Sequence, residues 1–573
     1  MNKRTFLHGA GILAAAGIVV KIIGACFRIP LGNLIGGEGM GYYNAVYPVY
    51  TLLVVIATTG IPIAISRLVS ENLVDGDRGG ANRVFKIAMV LMLVIGIIFF
   101  TVLFFGAASI TSRIQDLNGA VHAMQAIAPA LIFVPVMAAF RGYFQGMQNM
   151  KPTAISQIVE QLFRVAFGLT LAYFLVSMGK EYAAAGGTFG ATAGAAGGLL
   201  IMAVFYSRYR NKEGFRKRRE EARQERDPRR RDSTIQIIKR VAVIAVPITV
   251  GAAVMPIMYN IDMWVVPSRL SAAGFDPVAV RSMYGQLTGF AEPITNLPKV
   301  LTQAIAISMV PTIVRAWKAK DMPFLTYNVQ LGLRLALIIG LPCTVGLMVL
   351  SGPVMLLLYP AQPADAAGAA PALFIFAIGV VFLSSIDALT SVLQGVGKQM
   401  IPFVNIAIGA ACKLVITLIL TGIPVLNIKG AALGTVTAYA VATILNYRAV
   451  KSYTAVRFDF KLTFVRPVVS ALIMGGVAAA VYYSIHYAMG SSNASLANLA
   501  NLASESLHRS ITGDILSNVL ATVVAILAGI VVYIITLFAT RAIDPQELKQ
   551  LPKGEKLYRL YRRFRPARNV RLR

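Results

Sequence analysis

Two cations, Lys21 and Arg28, stand inside the first apolar stretch of the sequence, residues 5–30. At 1.5 Å rise per residue they lie about 10 Å apart and nearly on one helix face. Gly24 and Ala25 fall between them and leave that face narrow enough for a second group to approach. A cation at the centre of a bilayer costs roughly 2.5–3.5 kcal/mol, whereas each Leu or Ile returns only about 0.3–0.6. Such a residue either faces a wet cavity or snorkels to an interface along its own stem. Arg28, near the end of the stretch, suits snorkelling better than Lys21 does. Arg164, Lys299, Arg334 and Lys413 are further cations within apolar runs, and Arg334 is close enough to the end of its run to snorkel. Glu160 precedes Arg164 by four residues, a spacing that pairs them on one face, and Glu292 precedes Lys299 by seven. The set Lys21, Arg28, Arg164, Lys299 and Lys413 is predominantly cationic, and a cavity lined by it attracts an anion such as a phosphate or diphosphate. These five are the expected substrate-binding residues.

The intramembrane acids Asp262 and Asp387 are of the kind that bind Na+ or a proton to drive transport. The competing reading of Asp262, with Asn260 beside it, is a helix end. No other cofactor is expected. His8, His122, His486 and His508 are scattered without metal-ligand spacing, and Cys26, Cys343 and Cys412 sit singly in apolar segments. Asp75-Gly76-Asp77 imitates a metal-binding Asp-x-Asp, but in a short loop between apolar runs it reads as a turn. The sequence has no phosphate-binding loop of the Gly-x-x-x-x-Gly-Lys type. An enzyme is therefore not expected.

Helices in a membrane must position these residues. Of 573 residues 57% are hydrophobic and 14% charged, with a mean hydropathy of +0.67. Unbroken apolar runs predict an all-α membrane protein and exclude a β-barrel, whose strands alternate. Fourteen spans are expected: 5–30, 42–66, 84–108, 120–142, 153–178, 184–206, 239–264, 284–312, 328–350, 369–394, 402–424, 428–448, 464–488 and 514–540. Most of the 54 Lys and Arg fall in alternate loops, which puts both termini of a multi-pass membrane protein in the cytoplasm. The net charge of +29 does not point to nucleic acid. The basic linker mixes Glu220, Glu221 and Glu225 among its arginines and has almost no aromatic residues for stacking bases. Linker and tail read as surfaces for anionic lipid headgroups, with a protein partner such as cell-wall synthesis machinery as the alternative.

The linker separates two halves that repeat each other. Gln145-Gly146 matches Gln394-Gly395 and Arg164 matches Lys413 at an offset of 249. Ile63–Ser66 matches Ile305–Ser308 at 242, and Gly190 and Gly194 match Gly430 and Gly434 at 240. Six spans per copy is an even number, so the copies are parallel. The expected organisation is a first lobe at 1–206, a basic cytoplasmic linker at 207–238, a second lobe at 239–450, two added spans within 451–540 and a basic tail at 541–573. Span 8, with Pro293, Pro298 and Pro311, is the candidate bending element, and the glycines opening spans 6 and 12 suggest close helix packing.

The segments FRIPLGNLIGGEGMGYYNAVYP, GIPIAISRLVSEN, RGYFQGMQNMKPTAISQIVEQLFR and QGVGKQMIPFVNIAIGAACK resemble the multidrug/oligosaccharidyl-lipid/polysaccharide exporter superfamily. The likeness is to its polysaccharide-biosynthesis branch, which holds the stage V sporulation protein B, YtgP and MurJ-like lipid II flippases, and it runs over all fourteen spans. The resemblance implies two pseudo-symmetric six-helix lobes about a central cavity, plus two C-terminal helices whose groove would take a polyprenyl tail. It implies alternating access and translocation of an undecaprenyl-diphosphate-linked peptidoglycan precursor, lipid II, to the outer leaflet. Lys21 and Arg28 fall where MurJ-type proteins carry essential cations. Helix 2 departs from that pattern by reading TLLVVIA where arginines are expected, and Tyr43 and Asn44 stand near the place of an expected aspartate. These departures bear on the substrate more than on the fold. The competing expectations are export of another polyprenyl-linked oligosaccharide, a cation-coupled multidrug exporter, which needs an acid-rich cavity, and a non-transporting scaffold for cell-wall or spore assembly, which is indifferent to the intramembrane cations.

Overall fold

The computed structural model describes residues 3–114, 116–212, 233–456, 458–490 and 513–542. Every regular element among them is helical. The helices are α1 (Lys3–Thr58), α2 (Gly60–Val74), α3 (Arg78–Phe105), α4 (Ala107–Thr111), α5 (Ala120–Ile127), α6 (Ala130–Gly146), α7 (Lys151–Leu175), α8 (Lys180–Lys212), α9 (Thr234–Ala272) and α10 (Pro277–Gly285). A π-helical segment, Gln286–Ala291, leads into α11 (Glu292–Thr295), α12 (Leu297–Lys318), α13 (Met322–Val349), α14 (Ser351–Leu358), α15 (Pro363–Gly395), α16 (Met400–Leu420) and α17 (Asn427–Thr454). A second π-helical segment, Lys461–Val465, precedes α18 (Arg466–Gly490), and α19 (Gly513–Ala539) follows. Most of the linker at 207–238 and nearly all of the tail at 541–573 lie outside the described residues.

Among the described residues, thirteen stretches of helix are long and apolar enough to cross a membrane. The first of them, Val19–Val74, has 56 residues and would be about 84 Å long if straight, against a hydrocarbon core of about 30 Å. It breaks at Gly36, whose φ of 68° lies in the left-handed region, and so accounts for the first two expected spans. Asp77 caps α3 by accepting from the Gly80 N–H, which makes the Asp75-Gly76-Asp77 stretch the turn it was expected to be. Ser233 and Gln236 form a reciprocal capping box at the start of α9. The eighth expected span is interrupted: the π segment, α11 and a break at Asn296 occupy residues 286–296 before α12 begins.

The chain divides into two compact units. One comprises Met1–Val300, Leu358–Gly379 and Gln399–Leu445, and the other Leu301–Leu357, Val380–Lys398 and Asn446–Arg573. In the second unit α18 packs along α19 and against α13. Asn518 of α19 donates to the Pro353 carbonyl and accepts from Tyr482 there, and Tyr533 donates to the Ile338 carbonyl.

Local packing repeats between the halves. In the first half Gly146 lies against the Ser66 carbonyl and Val69, and Gly142 against Ile65. In the second, Gly395 lies against the Val310 carbonyl and Ile313, and Ser391 against Met309. Likewise Gly186 meets Leu171 and Ala172 while Gly190 meets Arg164 and Gly168; Gly430 meets Leu420 and Thr421 while Gly434 meets Lys413 and Thr417. The partners along spans 4 and 5 keep the offset of 249. Those along spans 2 and 6 are offset by 244, not by 242 and 240. The register read from sequence was thus short by two residues in one span and by one helical turn in the other.

Candidate functional site

Helix α1 carries Lys21, Arg28 and a row of tyrosines. Lys21 is exposed and Arg28 half-buried. The face expected to admit a second group does admit one: a Cβ at Gly24 would lie 2.9 Å from Nε2 of Gln161 on α7, a residue that is itself buried. Beyond Arg28, Gly32 lies against the stacked rings of Phe290 and Tyr359, whose centroids are 4.0 Å apart. Tyr43, Tyr47 and Tyr50 then form a ladder with centroids 4.8 and 5.9 Å apart, and Phe27 extends it on the other side of Gly36. The 43, 47, 50 spacing is the i, i+4, i+7 pattern of one helix face, and it was visible in the sequence.

Arg28 lies within electrostatic reach of Glu292, Tyr259, Tyr43 and Tyr359. Arg164, on α7, lies within reach of Tyr43, Tyr47 and Tyr50. Tyr43 is therefore within electrostatic reach of both guanidiniums. Arg164 also contacts Glu160 at 3.5 Å, and the other Glu160 oxygen accepts from Arg141 Nη2 at 2.9 Å while Arg141 Nε donates to Ser156 at 3.1 Å. The side chains of this trio are 17–20% exposed, and Arg164 Nε has no hydrogen-bond partner among the described residues. Two guanidiniums share one carboxylate, so the cluster keeps a net charge of +1. Arg141 is not among the candidates named from the sequence, although it stands at the end of the expected span 120–142. Its signal was position alone, since it continues the apolar run of α6 without a break.

Lys413 and Asp262 received separate roles from the sequence. The structure joins them: Lys413 Nζ lies 2.5 Å from Asp262 Oδ2, donates also to the Met258 carbonyl, and both side chains are almost wholly buried. The pair is within electrostatic reach of Glu292. Asp262 sits inside α9 rather than at its end. Asn260 donates to the Pro256 carbonyl one turn back and to the Pro48 carbonyl of α1.

Lys299, half-buried, stands in the first turn of α12, past the break at Asn296, so the seven-residue relation to Glu292 does not run along one continuous helix. Asp387, in the other unit, accepts from Thr302 Oγ1 at 3.0 Å. Arg334 was expected to reach an interface; it is 6% exposed and lies inside α13. The helix begins six residues before the expected span, so Arg334 stands near its middle, and neighbouring side chains cover it, which a single sequence does not reveal.

The chain is 28% identical over 554 residues to the stage V sporulation protein B of Bacillus subtilis (strain 168), covering 96% of this chain and 98% of that one. It is 26% identical over 495 residues to the lipid II flippase MurJ of the same organism, covering 84% and 89%. A solved structure of the lipid II flippase MurJ in an inward closed conformation superimposes with a TM-score of 0.65 at 16% identity, covering 92% of this chain and 98% of that one. The fold is accordingly that of an all-α membrane transporter. The family model for polysaccharide biosynthesis proteins matches residues 6–317, more than half of the chain, and the chain belongs to that family.

Proposed function

We propose that the protein is a flippase for a lipid-linked glycan, with lipid II as its substrate, and that it works by exposing an anion-binding site to the two membrane faces in turn. The observation that carries this reading is that Arg28 and Arg164, on two membrane helices, both lie within electrostatic reach of Tyr43. A guanidinium binds a phosphate through two parallel donors, and two of them suit a diphosphate. Lys21, on the same face as Arg28, would guide the headgroup in, and Lys299 would add to the field. Lys413, neutralised by Asp262, would hold α9 to α16 and contribute no net charge.

The similarity to proteins named for sporulation and for lipid II movement supports the same substrate class. In this reading both termini face the cytoplasm, with the linker and tail on anionic lipid. The cation-coupled multidrug exporter is less well supported, because the buried acid Asp262 already holds an ammonium group. The test is a leaflet-accessibility assay for lipid II in cells depleted of this protein and complemented with variants. Arg28→Ala and Lys21→Ala are expected to leave lipid II in the inner leaflet at normal protein levels. Wild-type outer-leaflet exposure with both variants would contradict the site.

A further inference from the structure

The break in α1 is bound to three other segments of the same unit. The first part of the helix ends at Ile35, whose carbonyl accepts from Lys180 Nζ at 3.0 Å. The second part begins at Gly37, whose N–H donates to Asp365 Oδ2 at 2.6 Å. The other oxygen of Asp365 accepts from Ser282 Oγ at 2.7 Å and from Gln286 Nε2 at 2.9 Å. One carboxylate thus caps the second part of α1 from across the fold, where the helix dipole favours an anion, and holds α10 and the π segment to it.

Asn33 makes a second set of contacts. It donates to the Leu358 carbonyl at 2.7 Å, its side-chain oxygen accepts from the Ala361 N–H at 3.1 Å, and its carbonyl accepts from Gln362 Nε2 at 3.1 Å. Glu38 pairs with Arg281 at 2.9 Å, and Arg281 reaches the Asp116 carbonyl and lies over the Tyr42 ring. Close approach is built in: a Cβ at Gly285 would overlap the Gly37 carbonyl, and one at Gly41 the Arg281 carbonyl. The segments that meet here carry residues 33–38, 116, 180, 281–286 and 358–365, and the alternation of charged loops assigns them all to the non-cytoplasmic side.

We propose that Asp365 is a positioning residue for translocation: its carboxylate, on α15, latches the break in α1 to α10 and the π segment on the non-cytoplasmic side, and breaking its three bonds opens that face to let a headgroup leave. Asp365 touches no substrate in this scheme. It acts through α1, whose first part carries Arg28. The proposal rests on the transport reading, but its test needs no substrate.

In the full-length protein, with Cys26, Cys343 and Cys412 replaced by Ala, a reporter is placed by Thr288→Cys. Thr288 is buried and lies one step deeper along the π segment than Gln286. A membrane-impermeant maleimide is added to intact cells and the labelling rate is measured. Asp365→Ala removes a charged acceptor with three donors and is expected to raise the rate about tenfold or more. Ser282→Ala removes one donor and is expected to raise it about threefold. Should Asp365→Ala fail to accumulate, Ser282→Ala decides the question. Labelling at the unsubstituted rate in both variants, or faster labelling only in inverted vesicles, would overturn the latch. Faster labelling from outside in a protein that moves no lipid II would uphold the latch and remove the substrate reading.

Discussion

Lys413 and Asp262, 151 residues apart in sequence, meet at 2.5 Å with only 2% and 7% of their side chains exposed. Each alone would be an uncompensated charge in an apolar interior. Together they join α9 to α16 and remove from the cationic set one of the five residues that the sequence put there.

The first prediction concerns that pair. Removing one partner of a buried ion pair typically costs about 3–5 kcal/mol, whereas replacing both with apolar or neutral groups of similar size is close to neutral. Lys413→Ala is therefore expected to lower the thermal unfolding midpoint in detergent sharply, and Asp262→Asn with Lys413→Met to restore most of it. Because the pair carries no net charge, the double variant is also expected to retain lipid II exposure. Loss of exposure in a stable double variant would show that the Lys413 charge acts on substrate.

The Glu160 cluster behaves differently. Its side chains are about a fifth exposed, so solvent screens the pairings and the stability at stake is about 1–3 kcal/mol. Glu160→Gln is expected to cost that much in a thermal melt. Arg164→Lys, which keeps the charge but loses the planar fork, is expected to reduce translocation to a tenth or less with stability near normal. Full activity in Arg164→Lys would mean that a point charge suffices.

Three glycines of the same unit make a graded test of packing. Gly36 adopts φ 68°, so Gly36→Ala is expected to cost about 1–2 kcal/mol. Gly285 lies directly on the Gly37 carbonyl; Gly285→Ala must push α10 off α1 and is expected to be worse. A Cβ at Gly17 meets nothing within 4 Å, so Gly17→Ala is expected to be neutral or to stabilise by about 0.5–1 kcal/mol through helix propensity. Thermal melts of the three variants, with Gly285→Ala the most damaged, Gly36→Ala next and Gly17→Ala least, check the prediction.

The spans and the duplicated arrangement were legible because apolar length and repeated glycines leave their mark on any single sequence. The register of the repeat was less so. Glycines on α8 recur at 186, 190 and 194, every fourth residue, so sliding the match by one turn leaves the sequence equally satisfied; only the partners Leu171 and Ala172, with Leu420 and Thr421, fix it. The bond between Asp262 and Lys413 was illegible for another reason. Both residues were noticed, but nothing local says which faces of α9 and α16 meet. The Asp365 cap escaped notice altogether, since a carboxylate that caps a helix 328 residues away has no neighbouring sequence signature. The tyrosine ladder of α1 was available from spacing and was passed over in favour of charge.

The most direct measurement is the fraction of lipid II reachable from outside the cell when the only copy of this protein carries Arg28→Ala. Guanidiniums of Arg28 and Arg164 that hold a diphosphate predict that this fraction falls to the level of depleted cells while the protein still folds and reaches the membrane. A fraction equal to that of the unsubstituted protein would contradict the account.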